Sequence, residues 1–218
     1  MLSVIFTYYN NPGMLAKQYG IWRGYPNELE LIVIDDCSRD AAIDVPRPEG
    51  IKPQIYRMAV DRPWNQDAAR NLGAHVASGK WLLFLDIDHT ISAQALGQLI
   101  AHLPLLQNET AYRFARQLVS GKKLSVAPNI WLMRRVDFWR MGGYDERLCG
   151  SYGTDRDFVR RVASKMPIEN LLLTLSVYTG KTVADAATRG LDRTVVPLPN
   201  PHLPEPVLAL GCQWERQL

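Results

Sequence analysis

Two carboxylates one residue apart, Asp86 and Asp88, follow the apolar run Leu82-Leu83-Phe84-Leu85. Such acids repel each other unless something positive lies between them, and a divalent metal carrying a phosphate commonly fills that role. Other residues of chemical interest are scattered along the chain. Arg70 offers a guanidinium, whose planar fork suits phosphate oxygens. Asp35 and Asp36 close a second apolar run, Leu31 to Ile34. Asp155 and Asp157 stand where a helix is expected to begin, and two positions on a helix of 3.6 residues per turn are about 200° apart, so both cannot face one hydroxyl.

These residues are positioned by a regular alternation of elements. Residues 82–85 form a run short enough for a strand buried on both faces, which places Asp86 and Asp88 at its carboxyl end. In open α/β sheets, ligands bind in the crevice outside such strand ends. Upstream, residues 2–7 read as a strand, 12–22 as a helix with Asn11 as cap and Pro12 in its first turn, 29–34 as a strand, 41–52 as loop and 53–58 as a short strand. Residues 65–78 read as a helix with Gly79 as its C-cap, and 92–103 as another. This rhythm predicts an α/β fold, Rossmann-like in its first half, with a mostly parallel central sheet flanked by helices. Residues 111–119 and 124–133, flanking Gly121-Lys122-Lys123, predict a small antiparallel addition. Helices are expected over 135–141 and 155–166, a strand over 171–178, a helical turn over 183–189 and Pro-rich loop over 197–206.

The 218 residues suit one domain. A net charge of +3, with 25 basic and 22 acidic residues interspersed, gives no nucleic-acid footprint. Cys37, Cys149 and Cys212 are far apart and form no C-x-x-C pair, which argues against a disulfide framework or zinc knuckle and for a reducing compartment. No apolar stretch approaches the roughly 20 residues of a membrane helix, and Asn10 and Asn11 interrupt the first strand too early for a signal peptide. The expectation is a soluble, cytoplasmic protein without an integral membrane segment.

Gly73 to Trp81 echoes a phosphate-binding loop, but Trp81 stands where Ser or Thr would bind magnesium and the stretch follows a helix. Asp86-Ile87-Asp88-His89-Thr90 resembles the D-x-D-x-T signature of haloacid-dehalogenase-like phosphohydrolases, whose first carboxylate attacks phosphorus. That motif normally opens its fold, whereas a long α/β segment precedes it here. A fuller set of motifs runs from residue 2 to about residue 160: Val4 to Asn10, Leu31 to Ser38, Ala69-Arg70-Asn71-Leu72-Gly73, Gly79 to Asp88, Gly142-Gly143-Tyr144-Asp145-Glu146, and Tyr152 to Asp157. In this order the set resembles the inverting glycosyltransferases of family 2, which have the GT-A fold.

The resemblance implies a metal-dependent enzyme that uses a nucleotide-diphosphate sugar, most often a UDP-sugar, with Mn2+ or Mg2+ as cofactor and a saccharide or other hydroxyl as acceptor. Asp88 would bind the metal directly, Asp86 would lie nearer the ribose or sugar while sharing the metal, and His202 would be a late third ligand. Thr7, Tyr9 and Asp36 would form the uracil pocket, Arg70 would face the diphosphate, and Gly143 would bring the backbone close to the donor sugar. Asp155 would be the general base, although Thr154 stands before it where the family most often has Glu. Trp131 and Tyr152 are candidates for walls of the acceptor pocket or, equally, for the core. The single domain, 1–218, would divide into a nucleotide-binding half, 1–105, and an acceptor-side half, 106–218. Thr154 and a short stretch after about residue 164 also admit a sugar-nucleotide-binding module without turnover.

Overall fold

The computed structural model describes residues 1–150, 153–179 and 213–218. Strands β1 (Leu2–Tyr8), β2 (Leu29–Asp35), β3 (Gln54–Met58) and β4 (Trp81–Asp86) run parallel in the spatial order β3-β2-β1-β4. Val4, Ile5, Phe6, Leu82, Leu83 and Phe84 are all buried, as apolar runs without alternation require of strands covered on both faces. Helices α1 (Pro12–Trp22), α2 (Gln66–Val76) and α3 (Ala93–His102) connect or follow these strands. One core holds Phe6, Tyr19, Trp22, Leu83, Leu96 and Leu99, and the other holds Ile5, Ile34, Leu72, Leu82 and Phe84. α1 begins as expected, with the Asn11 side chain accepting from the Met14 N–H and Pro12 in the first turn. Gly73 lets α2 settle onto β1, because a Cβ there would come within 2.4 Å of Ile5.

Beyond the parallel half come the two-residue strand β5 (His89–Thr90), then β6 (Ala111–Leu118), β7 (Lys123–Leu124), β8 (Trp131–Arg134), β9 (Ile168–Val177) and β10 (Trp214–Arg216), with helices α4 (Arg135–Arg140) and α5 (Asp155–Lys165). The full order is β10-β3-β2-β1-β4-β8-β6-β9-β5, with β7 paired to β6. The expected strand 124–133 is therefore split. β7 completes a short hairpin with β6, while β8 inserts between β4 and β6, antiparallel to both. Pro128, which lacks an N–H for a ladder, lies in the break.

Three further expectations are corrected, and one strand was not foreseen. Gly79 does not cap α2, which ends at Ala77 in an extended conformation. Instead Gly79 packs against β1, donating its N–H to Ser3 Oγ at 2.9 Å where a Cβ would come within 2.4 Å of that oxygen. Trp131 is not an acceptor wall, since it is wholly buried with its ring edge-on to Phe158. β9 begins at Ile168, earlier than its apolar pattern suggested, and pairs parallel with β6. β10, which pairs antiparallel with β3, was not foreseen because its three residues carry no strand signature alone. The expected turn at 183–189 and loop at 197–206 lie outside the described residues. Among the described residues, no helix is long and apolar enough to cross a membrane.

Candidate functional site

The register of the parallel strands brings their ends to one edge: Thr7 lies opposite both Ile34 and Asp86, and Tyr8 opposite Asp35. The chain then turns through Ile87 and Asp88 into β5. Gln18 of α1, wholly buried, pins this turn by donating its Nε2 to the carbonyls of Ile87 (2.8 Å) and His89 (2.7 Å). The Tyr178 N–H donates to the Asp88 carbonyl at 2.9 Å from the other side. Gln18 looked in the sequence like one more polar helix residue, and its role was not foreseen.

Asp86 and Asp88 are both partly exposed, but they are held differently. Asp86 accepts from Arg70 Nη2 on one oxygen and from Asn129 Nδ2 on the other, each at 2.7 Å. Asp88 uses Oδ1 in a 2.6 Å contact with His89 Nδ1, and none of the hydrogen bonds among the described residues uses its Oδ2. Ligand atoms of Asp86, Asp88 and His89 lie within 4.8 Å of one another, close enough to hold one ion. Carboxylate oxygens suit hard divalent cations.

Arg70 projects from α2 beneath this pair with its side chain only 2% exposed, beside Asp86 and 3.8 Å from Asp67. Asp67, one turn back on α2, pairs with it on a buried face of the helix. Burial alone would disfavour the guanidinium charge. Tyr144, Asp86 and Asp67 outweigh it, raising the pKa above the ordinary arginine range and keeping the cation in place. Burial pushes the Asp67 carboxyl up to about 6, against the opposing pull of Arg70 and the Thr154 hydroxyl.

Asp155 opens α5 after Gly153, whose φ is +82°. Its pKa is raised by burial, with Arg70 pulling it down and Asp86 pushing it up, so Asp155 shares an electrostatic neighbourhood with Arg70 and Asp86. Asp157 has a different task, accepting from Arg161 Nε at 2.8 Å one turn along the same helix. Gly142 and Gly143 both have positive φ, +84° and +61°. The close approach made at Gly143 is to α2, since a Cβ there would lie 2.7 Å from Asn71 Oδ1. Asn71, another unforeseen residue, clamps the segment by accepting from the Tyr144 N–H and donating to the Tyr144 carbonyl, each at 2.8 Å.

At the neighbouring strand ends, Thr7 is half-buried, and Tyr9 reaches Asp61 through its hydroxyl at 3.3 Å. Asp36 is buried and accepts from Asn65 Nδ2 at 2.9 Å. Asp35 is wholly buried, accepting from the N–H groups of Ser38 and Ala42 at 2.8 Å each, with Arg57 at 3.2 Å. His75 is exposed on α2 near Trp214. His202 and Tyr152 lie outside the described residues. The structure thus brings Arg70, Asp86 and Asp88 together, with Asp155 in the electrostatic range of Arg70 and Asp86 and with Thr7 and Asp36 at adjoining strand ends.

The family model for glycosyl transferase family 2 matches residues 3–145. The chain is 36% identical over 74 residues to the succinoglycan biosynthesis protein ExoO of Rhizobium meliloti, covering 33% of this chain and 20% of that protein. It is 31% identical over 105 residues to the validoxylamine A glucosyltransferase of Streptomyces hygroscopicus subsp. limoneus, covering 46% of this chain and 23% of that one. The alignments thus span less than a third of either relative. Among solved structures, S. aureus TarS in complex with UDP-GlcNAc superposes with a TM-score of 0.69 at 16% identity, over 83% of this chain and 60% of that one. At that identity the likeness concerns the fold.

Proposed function

The chain belongs to glycosyl transferase family 2, and on that premise we propose that it moves a sugar from a nucleoside-diphosphate donor, most specifically a UDP-sugar, to an acceptor hydroxyl with inversion at the anomeric carbon. The observation that carries this reading is the cluster at the carboxyl end of β4, where two partly exposed carboxylates, a buried arginine and the first acid of α5 come together. The UDP-GlcNAc complex of TarS, a neighbour in fold, supports the choice of donor class.

Mn2+ or Mg2+ is the proposed cofactor. Its chemistry is to neutralise the charge that develops on the departing diphosphate. Asp88, whose Oδ2 takes part in no hydrogen bond among the described residues, is the proposed direct ligand; Asp86, both of whose oxygens are already occupied, sits beside it facing the ribose or sugar. His202 is added to the ligand set on the family resemblance alone. Arg70 contributes a permanent cation to the diphosphate. Thr7, Tyr9 and Asp36 form the base pocket, in which the Asp36 carboxylate, an acceptor with two oxygens, takes a hydrogen bond from the uracil imide N–H. Gly143 holds the chain near the donor sugar.

Asp155 removes the acceptor hydroxyl proton as that oxygen attacks the anomeric carbon. The bond from that carbon to the diphosphate breaks on the opposite face. Burial raises the pKa of Asp155 from its ordinary value, in the direction that suits a general base. Residues 1–105 serve the nucleotide and 106–218 the acceptor, a saccharide or another hydroxyl compound. Cys37 and Cys149 are free thiols, which suits a reducing compartment such as the cytoplasm.

A panel of nucleotide sugars, screened for thermal stabilisation with Mn2+ and then with excess chelator, tests the reading. A ligand at a hundred times its dissociation constant adds about 2.7 kcal/mol. The expected result is stabilisation by UDP-sugars that disappears with chelator, and release of UDP when acceptor is supplied. Undiminished UDP affinity in chelator would sink the metal assignment, and binding without turnover would leave only a sugar-nucleotide-binding module. The phosphohydrolase alternative forecasts instead phosphate release from simple phosphomonoesters, lost in Asp86→Asn.

A further inference from the structure

His89 stands with Asp86 and Asp88 in a group able to hold a metal, yet its hydrogen bonds assign it a different task. Its ring is buried and both nitrogens are engaged: Nδ1 lies 2.6 Å from Asp88 Oδ1, and Nε2 lies 3.0 Å from Arg116 Nη1. A guanidinium has donors and no acceptor, so the ring nitrogen facing Arg116 must be the one that accepts. The ring hydrogen then belongs on Nδ1 and points at the Asp88 carboxylate. Arg116 is itself oriented, its Nε donating to the Ser125 carbonyl at 2.7 Å. The His89 backbone is held by Gln18.

We infer that His89 is a positioning residue. Arg116 sets its tautomer, and through Nδ1–H it fixes one oxygen of Asp88 so that the other, Oδ2, faces the cation. His89 thus acts through Asp88 and does not itself ligate the metal. Histidine and carboxylate are reversed here from the common arrangement, in which a carboxylate orients a ligating histidine. The inference rests on the metal-dependent reading of the site.

Asn and Gln variants separate the two roles because their amides reach different places: the Asn amide nitrogen falls near the position of Nδ1, and the Gln amide near that of Nε2. Mn2+ is titrated in the presence of UDP, with free Mn2+ followed by electron paramagnetic resonance. The dissociation constant should rise by about tenfold or more in His89→Ala and His89→Gln, whereas His89→Asn should stay within about threefold of the unmodified protein. In metal-free protein, imidazole ¹⁵N shifts should report the Nδ1–H tautomer. Gln outperforming Asn, an Nε2–H tautomer, or unchanged affinity in His89→Ala would each overturn the assignment. Unmodified protein that takes up no Mn2+ would instead overturn the proposed function, and this inference with it. Failure of the variants alone would leave the proposed function standing.

Discussion

β2 and β4 carry nearly the same signature, an apolar strand running into two acids, and the fold treats the two ends differently. At the end of β2, Asp35 is completely buried and engaged by two backbone N–H groups and Arg57, which fastens the turn that follows. At the end of β4, the side chains of Asp86 and Asp88 remain 26% and 27% exposed, and one oxygen of Asp88 has no hydrogen bond among the described residues. Acid spacing does not distinguish a structural lock from a reactive site. What does is the count of donors each carboxylate meets against the solvent it keeps. A carboxylate saturated by backbone donors stabilises the ionised form and the local fold, whereas one left half-satisfied retains capacity for a ligand.

The largest effect that would sharpen this contrast lies beside β4. Asp155→Asn preserves shape but cannot take a proton, so transfer should fall by about 10² to 10⁴ while Mn2+ and UDP binding survive. Asp157→Asn should mainly lower stability, since Arg161 loses its carboxylate partner. Near-normal transfer in the first variant with severe loss in the second would mean that the two acids have been assigned in the wrong order.

At the other strand end, Asp35→Ala should cost about 3 kcal/mol in urea unfolding, as expected when one partner of a buried ion pair is removed. It should leave Mn2+ affinity of the folded protein intact. Asp88→Asn should show the opposite profile, weakening Mn2+ and donor binding with stability within about 1 kcal/mol of the parent, as for a surface substitution. If the two variants proved alike in both measurements, the distinction between lock and site would collapse.

Asp67 tests the acid behind Arg70. Its folded pKa of about 6 stands above the ordinary 3.8, so the folded state binds more protons between those values. Stability should therefore decline as pH rises from about 4 to about 6 and level off above that. Asn mimics the protonated side chain. Asp67→Asn should match the parent near pH 4 and exceed it by about 1 to 3 kcal/mol near pH 7.5, at 1.36 kcal/mol per pKa unit. Equal chemical stability of the two at both pH values would count against burial as the dominant influence on Asp67. The smallest effect is expected for Asp36→Ala, a loss of about tenfold in UDP affinity, or about 1.4 kcal/mol, with the fold retained. Unchanged affinity for every nucleotide tested calorimetrically would place the base elsewhere.

The chain by itself determined the parallel half of the sheet, because strands buried on both faces read as nearly continuous apolar runs, and 2–7, 29–34 and 82–85 could be little else. It also placed the acids at strand ends, and the Asn11 cap and Pro12 followed from local backbone chemistry. Its limits appear where partners come from afar. β8 reads as a continuation of β7 until β4 and β6 compete for it, and β10 becomes a strand only against the edge of β3. The same holds at the site. Arg70 meets Asp86 across 16 residues, Asn129 meets it across 43, and Gln18 reaches the His89 carbonyl across 71. The chemistry of Asp86, Asp88 and His89 depends on who donates to which atom. Those donors sit on helices and strands that become neighbours only when the sheet is assembled, so residue type could nominate the acids and tertiary structure alone could divide their roles.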